Sequence, residues 1–179
     1  RQPVAHQLTG LSHALGKCHG FRTNVLFSTF LDELEPQPRP GWHGGEQWRL
    51  VQSQFAHSPS HAWRIAEGNA RAEDTLTTPP VRVFPGSVLE FWHTFGCLEG
   101  LSGGVLEASA DGGTTWSDVE PDILEGGYTG FLLPGSALEG RRAWTGGSLG
   151  PPQRVRLKLE ALAGEIAFFR FRWVSQGLG

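Results

Sequence analysis

The sequence predicts an all-β protein, an antiparallel sandwich or barrel, and three observations carry that reading. Turn formers and aromatics are abundant, with 25 glycines, 12 prolines and seven tryptophans among 179 residues of which only 18% are charged. From Val25 onward, short β-rich runs alternate with Gly- and Pro-rich breaks. Two late segments alternate strictly with period 2, which sets one strand face on a core and the other in water. The length suits about one domain. A chain of this size buries roughly 70% of its unfolded surface, enough for a core without metal or disulfide support. So many aromatics and so few charges also exclude a disordered chain.

The elements follow in chain order. Residues 1–24 scatter His6, His13 and His19 among Gly10, Gly16 and Gly20 without a sustained period, and read as an irregular N-terminal extension. The domain proper runs over residues 25–179. Strands are expected near 25–31, 47–52, 61–66, 81–84, 87–95, 104–110, 115–119, 128–133, 153–159 and 166–174. Breaks such as Pro79-Pro80, Pro85-Gly86, Gly126-Gly127 and Pro151-Pro152 separate them. No segment predicts a helix beyond a turn or two. Over 153–159, Val155, Leu157 and Leu159 alternate with Arg154, Arg156 and Lys158. Over 166–174, Ala167, Phe169, Phe171 and Trp173 alternate with Ile166, Phe168, Arg170 and Arg172. The run 87–95 is apolar on both faces, with Leu89, Phe91 and Phe95 on one side and Val88 and Trp92 on the other, and predicts a central strand. Nothing repeats at a fixed period, which excludes solenoids and propellers.

Charge and patterning narrow the function classes. Lys+Arg is 15 and Asp+Glu is 18, a net charge of −3, which argues against a nucleic-acid binder. No apolar run approaches the roughly 18 residues of a membrane span. The chain opens at Arg1 without a signal peptide and reads as a mature or excised piece. Cys18 and Cys97 fit no metal pattern. They are either two buried thiols or, in an oxidising compartment, one disulfide closing a long loop.

Ser109-Ala110-Asp111-Gly112-Gly113-Thr114-Thr115-Trp116 fits the S-x-D-x-G-x-T-W Asp-box. One copy in a short chain reads as a hairpin turn, with Asp111 accepting turn N–H groups and Trp116 packed beneath. His57 and His61 are four apart with Pro59 between them, and lack the further ligands a zinc site needs. No nucleophile elbow or phosphate loop is present. The Arg154, Arg156, Lys158 face and the Arg170, Arg172 face form a basic stripe if the last two strands pair, suited to sulfated or carboxylated polymers. The plainer alternative is a wet sheet face with partners such as Glu90 or Glu107. Among the tryptophans, Trp42 and Trp144 lie in Gly-rich stretches and are candidates for a sugar-stacking platform.

Several ordered pieces carry a resemblance. These are Glu33-Leu34-Glu35 with Pro40-Gly41-Trp42; Ala56-His57-Ser58-Pro59-Ser60-His61-Ala62-Trp63; Leu76-Thr77-Thr78-Pro79; and Leu89-Glu90-Phe91-Trp92-His93. They continue with Gly103-Gly104-Val105-Leu106-Glu107 through Trp116; Gly127-Tyr128-Thr129-Gly130; Gly140-Arg141-Arg142-Ala143-Trp144-Thr145-Gly146; and Phe169-Arg170-Phe171-Arg172. Over about 150 residues their order resembles the MAM-like or galactose-binding-like jelly-roll accessory domains of secreted bacterial proteases, the immune inhibitor A-type metalloproteases among them. The resemblance implies an antiparallel jelly-roll β-sandwich and a secreted, non-catalytic accessory domain. Such a domain binds glycan or protein surfaces or packs on a parent catalytic domain. Secretion makes Cys18 and Cys97 a disulfide pinning the extension. The resemblance also implies a structural calcium on Glu35 and Asp74 (or Glu73), a hard cation taking six to eight oxygens. Ser102 stands where the family often has Asp, and the family's closing I-D-D strand is not in this chain. An edge so left open would be covered by residues 1–24 or by a donated strand. Two further classes stay open: a small hydrolase using Asp118, Glu120 and Asp122, and an assembly module recruiting a partner strand.

Overall fold

The computed structural model describes residues 8–14, 26–28, 31–32, 34–35, 40–57, 60–66, 70–147 and 149–177. In chain order the strands are β1 (Leu8–Ala14), β2 (Leu26–Ser28), β3 (Leu31–Asp32), β4 (His43–Gly44), β5 (Arg49–Gln52), β6 (His61–Arg64), β7 (Ala72–Thr77) and β8 (Val81–Arg82). They continue as β9 (Val88–His93), β10 (Ser102–Ser109), β11 (Ser117–Asp118), β12 (Ile123–Glu125), β13 (Gly130–Phe131), β14 (Arg142–Thr145), β15 (Gln153–Lys158) and β16 (Ile166–Ser175). Helix among the described residues is confined to the 3-10 turns Glu120–Asp122 and Glu160–Leu162. None is long and apolar enough to cross a membrane.

Two antiparallel sheets make the sandwich. The first runs β12-β15-β9-β1-β2, with β3 also on β1. The second runs β13-β14-β10-β16-β7-β4, with β11 on β10 and β8 on β16. A separate hairpin, β5–β6, completes the fold. The alternation in the sequence dictates the packing. Val155 and Leu157 of β15 and Leu89 and Phe91 of β9 turn inward from the first sheet, while Leu106, Ala108, Ala167 and Phe169 turn inward from the second. Phe91 bridges the layers, meeting Phe171 edge-on at 5.1 Å and Trp144 at 5.8 Å. Truncating such a residue to Ala costs about 3–5 kcal/mol.

The expected central strand is central: β9 lies between β15 and β1. The expected irregular extension is corrected at Leu8–Ala14, which forms β1. It pairs Leu8 with Phe91 and Thr9 with Glu90, then shifts register before Ser12 meets Val88. Its weak periodicity hid it, because the neighbouring strand's backbone groups, and not its own pattern, hold it in place. The conditional basic stripe is also corrected. The last two strands do not pair, since β15 belongs to the first sheet and β16 to the second. Each cationic face has local acids: Glu90 lies 3.1 Å from Arg156 on β15, and Glu107 lies 2.6 Å from Arg170 on β16.

In the Asp-box hairpin, Asp111 accepts from the Thr115 N–H at 2.9 Å and the Ser109 hydroxyl at 2.7 Å, which holds its carboxyl down at about 2. Gly112 and Gly113 supply φ of 73° and 89°, and the Trp116 indole donates back to the Gly113 carbonyl. The motif serves as a turn.

Candidate functional site

An aromatic-walled cleft of about 580 Å³ opens where the β5–β6 hairpin stands beside the ends of β9, β14 and β16. Trp48 and Trp63 line it from the hairpin side. Trp92 and His93 line it from β9, Trp144 from β14, and Trp173 from β16. Gln52, Gln54, Arg64 and Arg172 are its main polar lining, and no Asp or Glu is among its described lining residues.

Three acids near the front of the chain hold its walls. Asp32, buried, accepts the Leu34 N–H at 2.9 Å and the Trp42 indole N–H at 2.7 Å. That bond fixes Leu34 in the left-handed region, with φ 59°. A leucine is rarely found there, and the conformation turns the chain sharply. Glu35 follows. It accepts from the Ser60 N–H at 2.7 Å, the Ser60 hydroxyl at 2.8 Å, the His61 N–H, and His61 Nδ1 at 2.6 Å. Burial pushes the Glu35 carboxyl up, but these four donors outweigh it and hold it at about 2. They fasten the start of β6, where Trp63 stands against Trp42 with ring centres 5.9 Å apart. Asp74 on β7 accepts from the Gln47 N–H at 2.6 Å and the Thr75 N–H at 2.7 Å, fastening the turn that presents Trp48. Position 45 must be glycine for that approach, because a Cβ there would lie 1.5 Å from Asp74 Oδ1.

His57 stacks on the cleft residue Trp92 at 4.0 Å. His93 packs edge-on to Trp144 at 4.6 Å, and burial lowers its pKa to about 4, so it is neutral at physiological pH. The indole N–H groups of Trp48, Trp63 and Trp173 are buried without an acceptor among the described residues. Each such orphan costs about 1–3 kcal/mol, an uncommon expense for a native fold to carry in one place.

The expected site residues separate in this light. Trp144 is 4% exposed and donates to the Gly126 carbonyl; it is a core floor of the cleft and no surface platform. Trp42 stands behind Trp63, its N–H spent on Asp32. Arg172 borders the cleft and pairs with Glu73 at 2.6 Å. Arg170 lies elsewhere, over the Trp116 ring at 4.2 Å and on Glu107 at 2.6 Å. Glu35 and Asp74 already accept from protein donors, and no group of three or more His, Cys, Asp or Glu suited to a metal occurs among the described residues. That donor set fits poorly with a calcium cage. Cys97 Sγ lies 3.3 Å from the Ser102 carbonyl, and Cys18 lies outside the described residues. Trp48, Trp63, Trp92 and Trp173 are brought together with Trp144 by segments distant in sequence, a grouping that no local pattern signals.

Two arrangements resemble catalytic machinery and lack its geometry. Ser60 Oγ and Glu35 Oε2 both sit at His61 Nδ1, 2.8 and 2.6 Å away. A relay needs the hydroxyl at one ring nitrogen and the carboxylate at the other. Asp118 is held by Arg141 at 2.5 Å and the Tyr128 hydroxyl at 3.0 Å, Glu120 faces Arg142 at 3.2 Å, and Asp122 faces Lys158 at 3.9 Å. Carboxylates neutralised in this way are poor general acids or bases. Comparison with protein-family models, curated proteins and solved structures finds no match.

Proposed function

We propose that this chain is a non-catalytic glycan-binding domain of a secreted multidomain protein, of the accessory kind its ordered motifs resemble, and that the aromatic cleft is its binding site. The observation that carries the reading is one cleft walled by Trp48, Trp63, Trp92, Trp144 and Trp173. The C–H faces of a sugar ring pack on indoles, and its hydroxyls meet the polar groups beside them, a combination typical of small-molecule sites. Orphan indole donors fit a ligand rich in acceptors. The test is retention on a panel of soluble and insoluble glycans, for the wild type and Trp63→Ala. Retention by one glycan class, weakened by the substitution at a temperature where both proteins are folded, supports the reading. No retention on any member overturns it.

A second reading is favoured by a different surface. Phe131 and Leu133 are 62% and 49% exposed beside Leu98, at the β13 edge of the second sheet. An apolar edge of this kind suits a protein partner, such as a parent catalytic domain or a second copy. Concentration-dependent mass in light scattering, abolished by Phe131→Ser, would favour it over the glycan reading.

A further inference from the structure

The alternation of β9 puts one polar ring on an apolar face. Leu89, Phe91 and His93 leave the same side of the strand. Leu89 and Phe91 are buried between the sheets, and His93 comes next, where that face opens into the cleft. Phe91 and Trp144, both core residues, line the cleft beside it, so His93 marks the inner end. Three aromatic rings pack on it: Phe91 edge-on at 5.6 Å, Trp144 edge-on at 4.6 Å and Phe95 at 5.2 Å. Neither ring nitrogen has a hydrogen-bond partner among the described residues, and burial alone lowers the pKa, which leaves the ring neutral at physiological pH. Elsewhere the polar lining is exposed, as at Gln52, Gln54 and Arg64, or spent. Arg172 is on Glu73, the Thr94 hydroxyl accepts the Gly150 N–H at 3.2 Å, and the Trp144 indole donates to Gly126. An unpartnered polar group in an apolar wall costs free energy, which a ligand offsets by supplying the missing bond. A neutral imidazole offers one donor and one acceptor, and the orphan indoles of Trp48, Trp63 and Trp173 offer donors only. A hydroxyl, which both donates and accepts, fits that set.

We propose that His93 contacts the ligand directly, its ring hydrogen-bonding a sugar hydroxyl at the inner end of the cleft while the tryptophans pack against the sugar ring. This rests on the glycan-binding reading and goes beyond it by naming the residue that reads a hydroxyl.

Calorimetry titrates the full chain with cellohexaose, maltohexaose, xylohexaose and chitohexaose, at a temperature where every variant is folded. His93→Phe keeps a ring for the aromatic contacts and removes both nitrogens. His93→Gln and His93→Leu differ in hydrogen-bonding capacity but little in size. For a hexasaccharide that the wild type binds, His93→Phe is expected to weaken binding about tenfold, the loss of one hydrogen bond. His93→Gln is expected to bind it more tightly than His93→Leu. A purely structural ring would leave binding by His93→Phe intact and make the Gln and Leu variants alike. Either of those results overturns the inference, and the glycan reading stands while Trp63→Ala still weakens the same hexasaccharide. Silence from all four probes overturns the inference, and with the wider panel silent as well it overturns both.

Discussion

Replacing Glu107 by Gln tests how the second sheet is held together. Glu107 sits on β10, its side chain only 4% exposed, and arginines from β16 and from the loop before β14 converge on it. Its Oε1 accepts from Arg141 Nη1 at 2.5 Å and its Oε2 from Arg170 Nε at 2.6 Å, with Arg172 Nη1 at 3.8 Å. Burial pushes its carboxyl up, but the two guanidinium groups outweigh that and hold it below the ordinary range. Gln keeps the shape, removes the charge and turns an NH₂ toward a guanidinium. Each charge-assisted bond contributes about 1.5–3 kcal/mol, and breaking a buried pair costs about 3–5 kcal/mol. Relief comes from two directions. Arg141 keeps Asp118 at 2.5 Å, and Arg170 keeps the Trp116 ring at 4.2 Å. Both arginines are also partly exposed and can turn to water. The expected loss is therefore near the lower bound, about 3 kcal/mol, which is about 6–12 °C in Tm for a domain of this size. Urea unfolding and calorimetry measure it, with Glu90→Gln as the control. Glu90 pairs at the sheet surface, where a loss under about 1 kcal/mol is expected. A Glu107→Gln loss as small as that of the control would refute the clamp.

Three further outcomes follow from the same geometry. Acid should weaken the fold in two stages: His93, with its pKa held at about 4 against an ordinary 6.5, stays neutral while the unfolded chain takes up a proton, so stability falls between about pH 6.5 and 4. Glu35 and Asp111, held at about 2, add stability that is complete above their ordinary values of 4.5 and 3.8 and is lost as pH falls toward 2. The denaturation midpoint against pH measures both, and His93→Phe should flatten the upper stage only; an unchanged upper stage would count against burial as the cause. Gly45→Ala should destabilise by about 1–3 kcal/mol, as overpacking does, and lower glycan retention by moving the Trp48 turn; an unaltered melting curve would show that the Asp74 contact yields freely. Deleting residues 1–24 removes β1 and uncovers β9, so the product should melt lower or associate in light scattering, whereas a monomer with the wild-type Tm would mean that β1 does not cover that edge.

The sheets were legible where one face of a strand is wet. Val155 and Leu157 alternate with charges, and both are fully buried. Pattern fails where pairing supplies what composition does not. β7 carries Glu73 and Asp74 and reads as a loop, yet six of its residues pair with β16. Alternation also tells which side of a strand is wet without telling which sheet it joins, and so the two basic faces were separable only in three dimensions. At the site, Glu35 and Asp74 were expected as calcium ligands, and the sequence does not reveal that each accepts from backbone N–H groups of the segments presenting Trp63 and Trp48. Trp144 was conspicuous among glycines of its own segment, yet it is buried, and its carbonyl lies so close to the distant Gly103 that a Cβ there would come within 2.8 Å of it.

The most direct test of the central claim is a calorimetric titration of the wild type and Trp63→Ala with the best-retained oligosaccharide of the glycan panel. The account predicts saturable one-site binding that weakens about 30-fold on loss of the indole, as truncation of a central aromatic anchor costs about 2 kcal/mol, measured at a temperature where both proteins are folded. Equal affinity of the two proteins would place the ligand outside the cleft and contradict the account.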